Sequence, residues 1–266
     1  NVLGKDISFS YNQAALEDWV MFHGTDKNGN FLTRFNGIKD IRGKSPSERT
    51  TKEQKLLNEF DNLIKYVIEA GVDYGVDPCL ILAIIQKETA FDGLSDRVFT
   101  KKGNGYMQLT TIAVKDMLGG ASTKEKGFFW TPDVKTTKYG SELEELLNDN
   151  GFSIDCDIKD KDKLYNDIWK VIKDNPEFNI RIGTLYFRNI LLNPIQNKIS
   201  QFQTRYKEKY GEDIILTKES EAICQAAYRY NGNKKYQVEY AKLVNEWYND
   251  IKHHCETFEN HLTVKM

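Results

Sequence analysis

The sequence predicts a mainly α-helical protein with little β-structure, folded as one globular domain behind an N-terminal extension. Apolar residues recur every three or four positions over most of the chain after residue 51, as they do along one face of a helix. Alternation typical of strands is confined to a weak stretch between Phe31 and Ile41. The 266 residues, 40% of them hydrophobic, suffice to bury a core without disulfide or metal support.

The N-terminal fifty residues are mixed in character. Residues 31–41 predict short strands or loops, and the polar residues 43–51 predict a linker. We therefore assign residues 1–50 to an extension or linker of unknown role, 51–252 to the globular domain and 253–266 to a C-terminal tail. No apolar leader follows Asn1, so we expect a processed or trimmed product whose export signal is not visible.

Two helices in the first half of the domain are marked by their starting residues. A helix begins at Lys52, and its buried face is indicated by apolar spacing at three and four. Asp77-Pro78 predicts the next start, with Asp as N-cap and Pro in the first turn, and this helix should run to about Phe91. A third helix, capped by Thr110 or Thr111, should reach Met117.

The second half predicts a polar insertion followed by more helices. Residues 119–175 predict an insertion at the protein surface that is helical around 141–147. Helical periodicity returns at 164–172. Asn175-Pro176 starts another helix. The remaining predicted helices lie at 195–209, 218–229 and 234–252.

Charge and composition exclude several classes of protein. With Lys+Arg 37 against Asp+Glu 39, the net charge of −2 argues against a nucleic-acid-binding protein. No window approaches the roughly 18 apolar residues of a membrane span. The four histidines include no pair at i, i+4, so we predict no metal site. Cys79 and Cys224 fall in apolar helical patterns typical of buried thiols, and the pairing of the four cysteines stays open.

Glu88 is the candidate catalytic residue. It shares a helix face with Ile81, Ile84 and Ile85, which must point into the core. A carboxyl drawn into such surroundings has its pKa raised by desolvation, as a general acid near neutral pH requires. The alternative is a glutamate whose stem packs against the helix while its carboxylate reaches water.

Five segments in order resemble the soluble lytic transglycosylase family, whose lysozyme-like enzymes cut peptidoglycan. The resemblance spans about residues 58–250. The segments are Glu88-Thr89-Ala90-Phe91, Gly105-Tyr106-Met107-Gln108, the stretch from Asn175 to Phe187, Ala226 to Gly232, and Tyr240 to Val244. The chain departs from the family pattern at Thr89 (usually Ser), at Tyr106 (usually Leu or Pro), at Arg229-Tyr230 and in the length of 119–175.

The resemblance implies a lysozyme-like fold and a peptidoglycan lytic transglycosylase without cofactor, with Glu88 as single acid and base. It implies glycan strands as partner, in the cell wall outside the cytoplasm or in a secretion, conjugation or phage assembly. Tyr230 directly precedes Asn231-Gly232, so we prefer it to Tyr228 as the tyrosine that can hydrogen-bond Glu88 and hold its carboxyl. The alternative is an amphipathic aromatic residue at a helix end. The full set of expected substrate-binding residues is Thr89, Tyr106, Met107, Gln108, Tyr230, Asn231 and Tyr240.

Two other functions stay open. A hydrolytic muramidase on the same fold would need a second carboxylate, for which Asp92 and Asp96 are the nearby candidates. A non-catalytic wall-binding module would need no acid. Phe128-Phe129-Trp130 is the best candidate for an exposed sugar or partner contact, and an anchor tucked into the core explains it equally well.

Overall fold

The computed structural model describes residues 12–22, 35, 37–89, 105–123, 127–131, 139–195 and 197–262. Helices hold 74% of these residues, which confirms a mainly α-helical protein with little β-structure. Two strands in the described ranges, β1 (Gly120–Thr123) and β2 (Gly127–Trp130), pair antiparallel with Gly120 opposite Trp130. The helices are α1 (Gln13–Phe22), α2 (Ile38–Gly43), α3 (Thr51–Tyr74), α4 (Pro78–Thr89), α5 (Thr111–Met117), α6 (Ser141–Asp149), α7 (Ile158–Asp174), α8 (Pro176–Leu192), α9 (Lys198–Tyr210), α10 (Lys218–Tyr230) and α11 (Gln237–Leu262).

The chain divides into two compact units. Unit 1 combines Asn1–Phe91 with Ile190–Met266, and unit 2 is Asp92–Asn189. In unit 1, α4 packs against α3 and α11, and α10 also packs against α11. Every residue from Leu80 to Ile85 is at most 1% exposed, so α4 is the centre of this core.

The start of α4 is held as the sequence predicts. Asp77 Oδ1 accepts a hydrogen bond from the backbone N–H of Cys79 at 2.9 Å, as an N-cap does. Asp77 Oδ2 accepts a second one from the hydroxyl of Tyr248, on α11, at 3.2 Å. A Cβ at Gly71, on α3, would lie 2.8 Å from Pro78 Cγ, so only glycine permits this close approach. These contacts fix the helix that carries Glu88.

The segment assigned to an N-terminal extension contributes to the core of unit 1. Trp19, on α1, is 1% exposed, and its indole N–H donates to Asp250 Oδ2, on α11, at 2.7 Å. The prediction of strands or loops is wrong for the described end of 31–41, because α2 begins at Ile38. Phe35, Ile38 and Ile41 are buried at a helical spacing of three, which the weak alternation concealed. Residues 31–34 lie outside the described ranges.

The last helix is longer than predicted. It extends to Leu262 rather than ending at 252, so the residues assigned to a tail continue α11. Cys255, in this part, is buried. All four cysteines are free thiols.

Unit 2 contains the stretch predicted as an insertion. Helix α6 confirms the predicted helix at 141–147, and Thr110 caps α5 by accepting from the N–H of Ala113 at 3.1 Å. The stretch also supplies a buried apolar core rather than surface alone: Leu143, Leu147, Tyr165, Ile168 and Ile172. Phe128, on the β1–β2 hairpin, packs over Gly120 and over the ammonium of Lys115. These contacts favour the interpretation of Phe128 as an anchor.

None of the described helices is long and apolar enough to cross a membrane.

Candidate active site

Glu88 lies one residue before the end of α4, on the face that carries the buried Ile81, Ile84 and Ile85. Its own side chain is partly buried. The structure therefore places Glu88 on the helix face that the spacing of the isoleucines predicted.

A tyrosine hydroxyl holds the Glu88 carboxyl, and it belongs to Tyr240. The Tyr240 hydroxyl donates to Glu88 Oε1 at 2.6 Å, across the contact between α11 and α4. The prediction that Tyr230 makes this bond is wrong. The Tyr230 ring instead stacks on the Tyr240 ring, with centroids 6.2 Å apart and planes inclined by 20°. Tyr228, the other tyrosine of this segment, is buried and accepts from Arg205.

The surroundings of Glu88 keep its carboxyl protonated at mildly acidic pH and about half protonated at neutral pH. Burial raises the pKa of Glu88 to about 7, because desolvation penalises the ionised form. The hydrogen bond from Tyr240 and the positive charge of Lys87 oppose this rise. Burial also raises the pKa of Tyr240, and the neighbouring Glu88 adds to the effect, so the tyrosine stays a neutral donor.

The carboxyl opens onto a cavity of about 230 Å³ within unit 1. The end of α4, the turn after α10 and the start of α11 supply its walls. Its lining residues are Lys87, Glu88, Asn231, Tyr236, Glu239 and Tyr240. Three predicted site residues, Glu88, Asn231 and Tyr240, are thus brought together around one space.

The cavity contains a second carboxylate that sequence reasoning did not single out. Glu239 Oε2 lies 2.9 Å from Lys209 Nζ, and this lysine lowers the pKa of Glu239. The two carboxyl groups of the cavity therefore differ in charge: at pH 6 Glu88 is largely neutral and at pH 7 about half protonated, whereas Glu239 is ionised at both. Asp92 and Asp96, the candidates named from the sequence, lie outside the described residues.

The other predicted residues of unit 1 have structural partners. Asn231 ends α10, and its Oδ1 accepts from the N–H of Asn233 at 2.9 Å, which shapes the turn beside the cavity. Thr89 is buried, and its hydroxyl donates to the carbonyl of Ile85 at 3.1 Å. Asn231 can offer a ligand its amide N–H₂ group, whereas Thr89 stabilises the end of α4.

The residues predicted from the second motif lie in unit 2. Tyr106 is 1% exposed and Met107 is fully buried, so both side chains are enclosed there. The N–H of Met107 donates to Asn179 Oδ1 at 2.9 Å. Gln108 is partly buried, adopts a φ of 44° and donates through Nε2 to the carbonyl of Gly105 at 2.9 Å. Substrate binding by these three residues stays a prediction.

Within the described residues, no cluster of three His, Cys, Asp or Glu side chains could hold a metal ion. The chemistry available in the cavity is that of a protonated carboxyl, an ionised carboxylate, an ammonium group, two phenols and an amide.

Comparison of the chain with protein-family models, curated proteins and solved structures gave no match.

Proposed function

We propose that this protein is a peptidoglycan lytic transglycosylase that cleaves the β-1,4 bond between N-acetylmuramic acid and N-acetylglucosamine. The observation that carries the proposal is the Glu88 carboxyl, whose pKa is raised to about 7 and which Tyr240 holds at the wall of a cavity. A carboxyl that stays protonated near neutral pH is what acid-catalysed glycosidic cleavage requires.

In the proposed reaction, Glu88 gives its proton to the leaving glycosidic oxygen as the bond from that oxygen to the anomeric carbon breaks. The resulting carboxylate takes the proton of the muramoyl 6-hydroxyl. That oxygen then bonds to the anomeric carbon and closes a 1,6-anhydro ring. Glu88 ends protonated, as it began, and no water is consumed, so one carboxyl serves as acid and then as base.

Two packing contacts in unit 2 are consistent with the family resemblance. Two motif segments meet there, since Met107 bonds to Asn179 and a Cβ at Gly183 would lie 2.6 Å from Met107 Cβ. Only a glycine at position 183 leaves room for the Met107 side chain, so packing gives both segments a reason to carry these residue types. We accordingly propose a lysozyme-like fold and a site of action in the cell wall or a wall-penetrating assembly.

A hydrolytic muramidase is the second candidate, and Glu239 is the observation that favours it. Hydrolysing glycosidases use one protonated and one ionised carboxyl, and Glu88 and Glu239 are such a pair within one cavity. In this reading, Glu239 would activate a water molecule.

Digestion of purified peptidoglycan with wild type, Glu88→Gln and Glu239→Gln, followed by mass spectrometry of the products, tests both candidates. The transglycosylase predicts anhydro products, one water lighter than hydrolytic ones, which disappear with Glu88→Gln and persist with Glu239→Gln. Products of hydrolytic mass that both substitutions abolish would establish the muramidase instead. Equal cleavage by wild type and Glu88→Gln would refute the catalytic role of Glu88, and no cleavage by wild type would leave a wall-binding module.

A further inference from the structure

The cavity beside Glu88 carries a positive charge that the described residues do not pair. Lys87 lines the cavity and is partly buried. Within the described part of the chain, its ammonium contacts only the face of the Tyr240 ring, 5.9 Å from the centroid, and no carboxylate forms an ion pair with it. That distance is near the limit of a cation–π interaction, so the Tyr240 ring holds the ammonium only weakly.

Other lysines of unit 1 differ from Lys87 in this respect. Lys209 pairs with Glu239 at 2.9 Å, Lys242 with Glu246 at 3.1 Å and Lys252 with Glu219 at 2.9 Å. Each of these three lysines therefore forms an ion pair with a carboxylate, whereas Lys87 forms none with a described residue.

The two carboxyl groups of the cavity are already engaged. Glu88 is hydrogen-bonded to Tyr240, and Glu239 forms its ion pair with Lys209. Lys87 lowers the pKa of both carboxyl groups through its charge without forming an ion pair with either. Among the described residues that line the cavity, Lys87 is therefore the cation that forms no ion pair. The exposed Lys234 and Lys235, in the turn that leads to Tyr236, add to the positive charge at this end of unit 1. The ammonium of Lys235 lies over the Tyr236 ring and forms no ion pair with a described residue.

We propose that Lys87 is a specificity-determining residue that binds a carboxylate of the substrate next to the scissile bond. This inference rests on the proposed function, because it assigns the anion to a muramoyl glycan. Such a glycan offers carboxylates from two sources, the 3-O-lactyl group of a bare strand and the stem peptide of a substituted one. A neutral glycan such as chitin offers neither, so Lys87 would favour muramoyl over purely acetylglucosaminyl strands.

The test measures binding rather than cleavage, so that its result does not depend on catalysis. The full chain carrying Glu88→Gln is titrated calorimetrically with the N-acetylglucosaminyl-N-acetylmuramic acid disaccharide, with its methyl amide and with the disaccharide bearing a stem peptide. We expect the free carboxylate to bind about tenfold tighter than the amide, as one charge-assisted contact provides. Adding Lys87→Gln should abolish this preference, whereas Lys87→Arg should retain it. A preference confined to the peptide-bearing probe, and lost with Lys87→Gln, assigns the carboxylate to the stem.

Lys207→Gln is the matched control, since Lys207 is an exposed lysine of α9 paired with Asp213. It should leave the preference unchanged. The proposal is overturned if Lys87→Gln lowers affinity for carboxylate and amide equally, or if no probe binds. Failure of the proposed function would show separately, as absence of cleavage by wild type despite carboxylate-selective binding.

Discussion

At the residue scale, the balance of forces on Glu88 decides what the cavity can do. Burial favours the neutral carboxyl, while the Tyr240 hydroxyl and the Lys87 ammonium favour the carboxylate. The net pKa of about 7 leaves a proton available at neutral pH and lets the group accept one afterwards. A fully solvated glutamate would have lost that proton.

Tyr240→Phe should lower kcat/KM about tenfold, because it removes one hydrogen bond that orients the Glu88 carboxyl. The bond stabilises the ionised form, so its loss raises the pKa of Glu88, and the alkaline limb of the pH–rate profile should move to higher pH. Glycan-cleavage rates measured across pH 5 to 9 check both effects.

Tyr230→Phe is the control for this substitution. It keeps the ring that stacks on Tyr240 and removes a hydroxyl that does not bond to Glu88. The alkaline limb should stay near that of wild type, whatever Tyr230 contributes to substrate binding. The account of the site would fail if Tyr230→Phe moved the alkaline limb and Tyr240→Phe did not.

Helical periodicity could predict Glu88, because one helix alone determines which face it occupies. It could not choose between Tyr230 and Tyr240, which belong to different helices and have the same chemistry. The packing of α10 and α11 against each other and of α11 against α4 makes that choice. Glu239 was missed for the same reason, since its entry into the cavity depends on where α11 begins.

At the element scale, local signals predicted helices well where caps are present. Asp77-Pro78 and Thr110 start α4 and α5 as expected, because an N-cap is a contact within a few residues of the chain. Helix α2 was missed because its apolar residues follow a glycine at positive φ and span fewer than two turns. Tertiary burial, rather than local pattern, accounts for that helix.

Gly105→Ala should destabilise the turn that precedes α5. Gly105 has a φ of +71°, and a Cβ there would overlap the Asn179 side chain that binds the Met107 N–H. We expect a loss of about 1–3 kcal/mol in the free energy of opening this segment. Faster hydrogen exchange at the Met107 amide measures it.

Gly127→Ala provides the comparison, since Gly127 has a φ of +64° with nothing within 4 Å of the added Cβ. It tests backbone strain alone and should leave the Met107 amide unchanged. Equal protection of that amide in Gly105→Ala and wild type would contradict the close contact with Asn179.

At the scale of the whole molecule, the first and last parts of the chain share one unit. The contact of α1 with α11 was beyond sequence reasoning, because residues more than 200 positions apart leave no local pattern. The spacing of apolar residues predicted the helical class, and the polar character of 119–175 concealed the buried residues that this stretch supplies to unit 2.

Trp19→Ala should lower the free energy of unfolding by about 3–5 kcal/mol, because it empties a buried site and leaves Asp250 without its indole donor. Urea unfolding monitored by circular dichroism measures the change. Ile215→Ala, at a residue 97% exposed, should change stability by less than about 0.5 kcal/mol. If residues 1–50 were only a linker, the two substitutions would have the same small effect.

The most direct test of the central claim is the titration of the Glu88 carboxyl by ¹³C NMR, assigned by comparison with Glu88→Gln. We predict a midpoint of about 7, with the Glu239 resonance titrating below its ordinary range. A Glu88 midpoint near its ordinary value of 4.5 would mean that the carboxyl is ionised at neutral pH, and it would contradict its role as general acid.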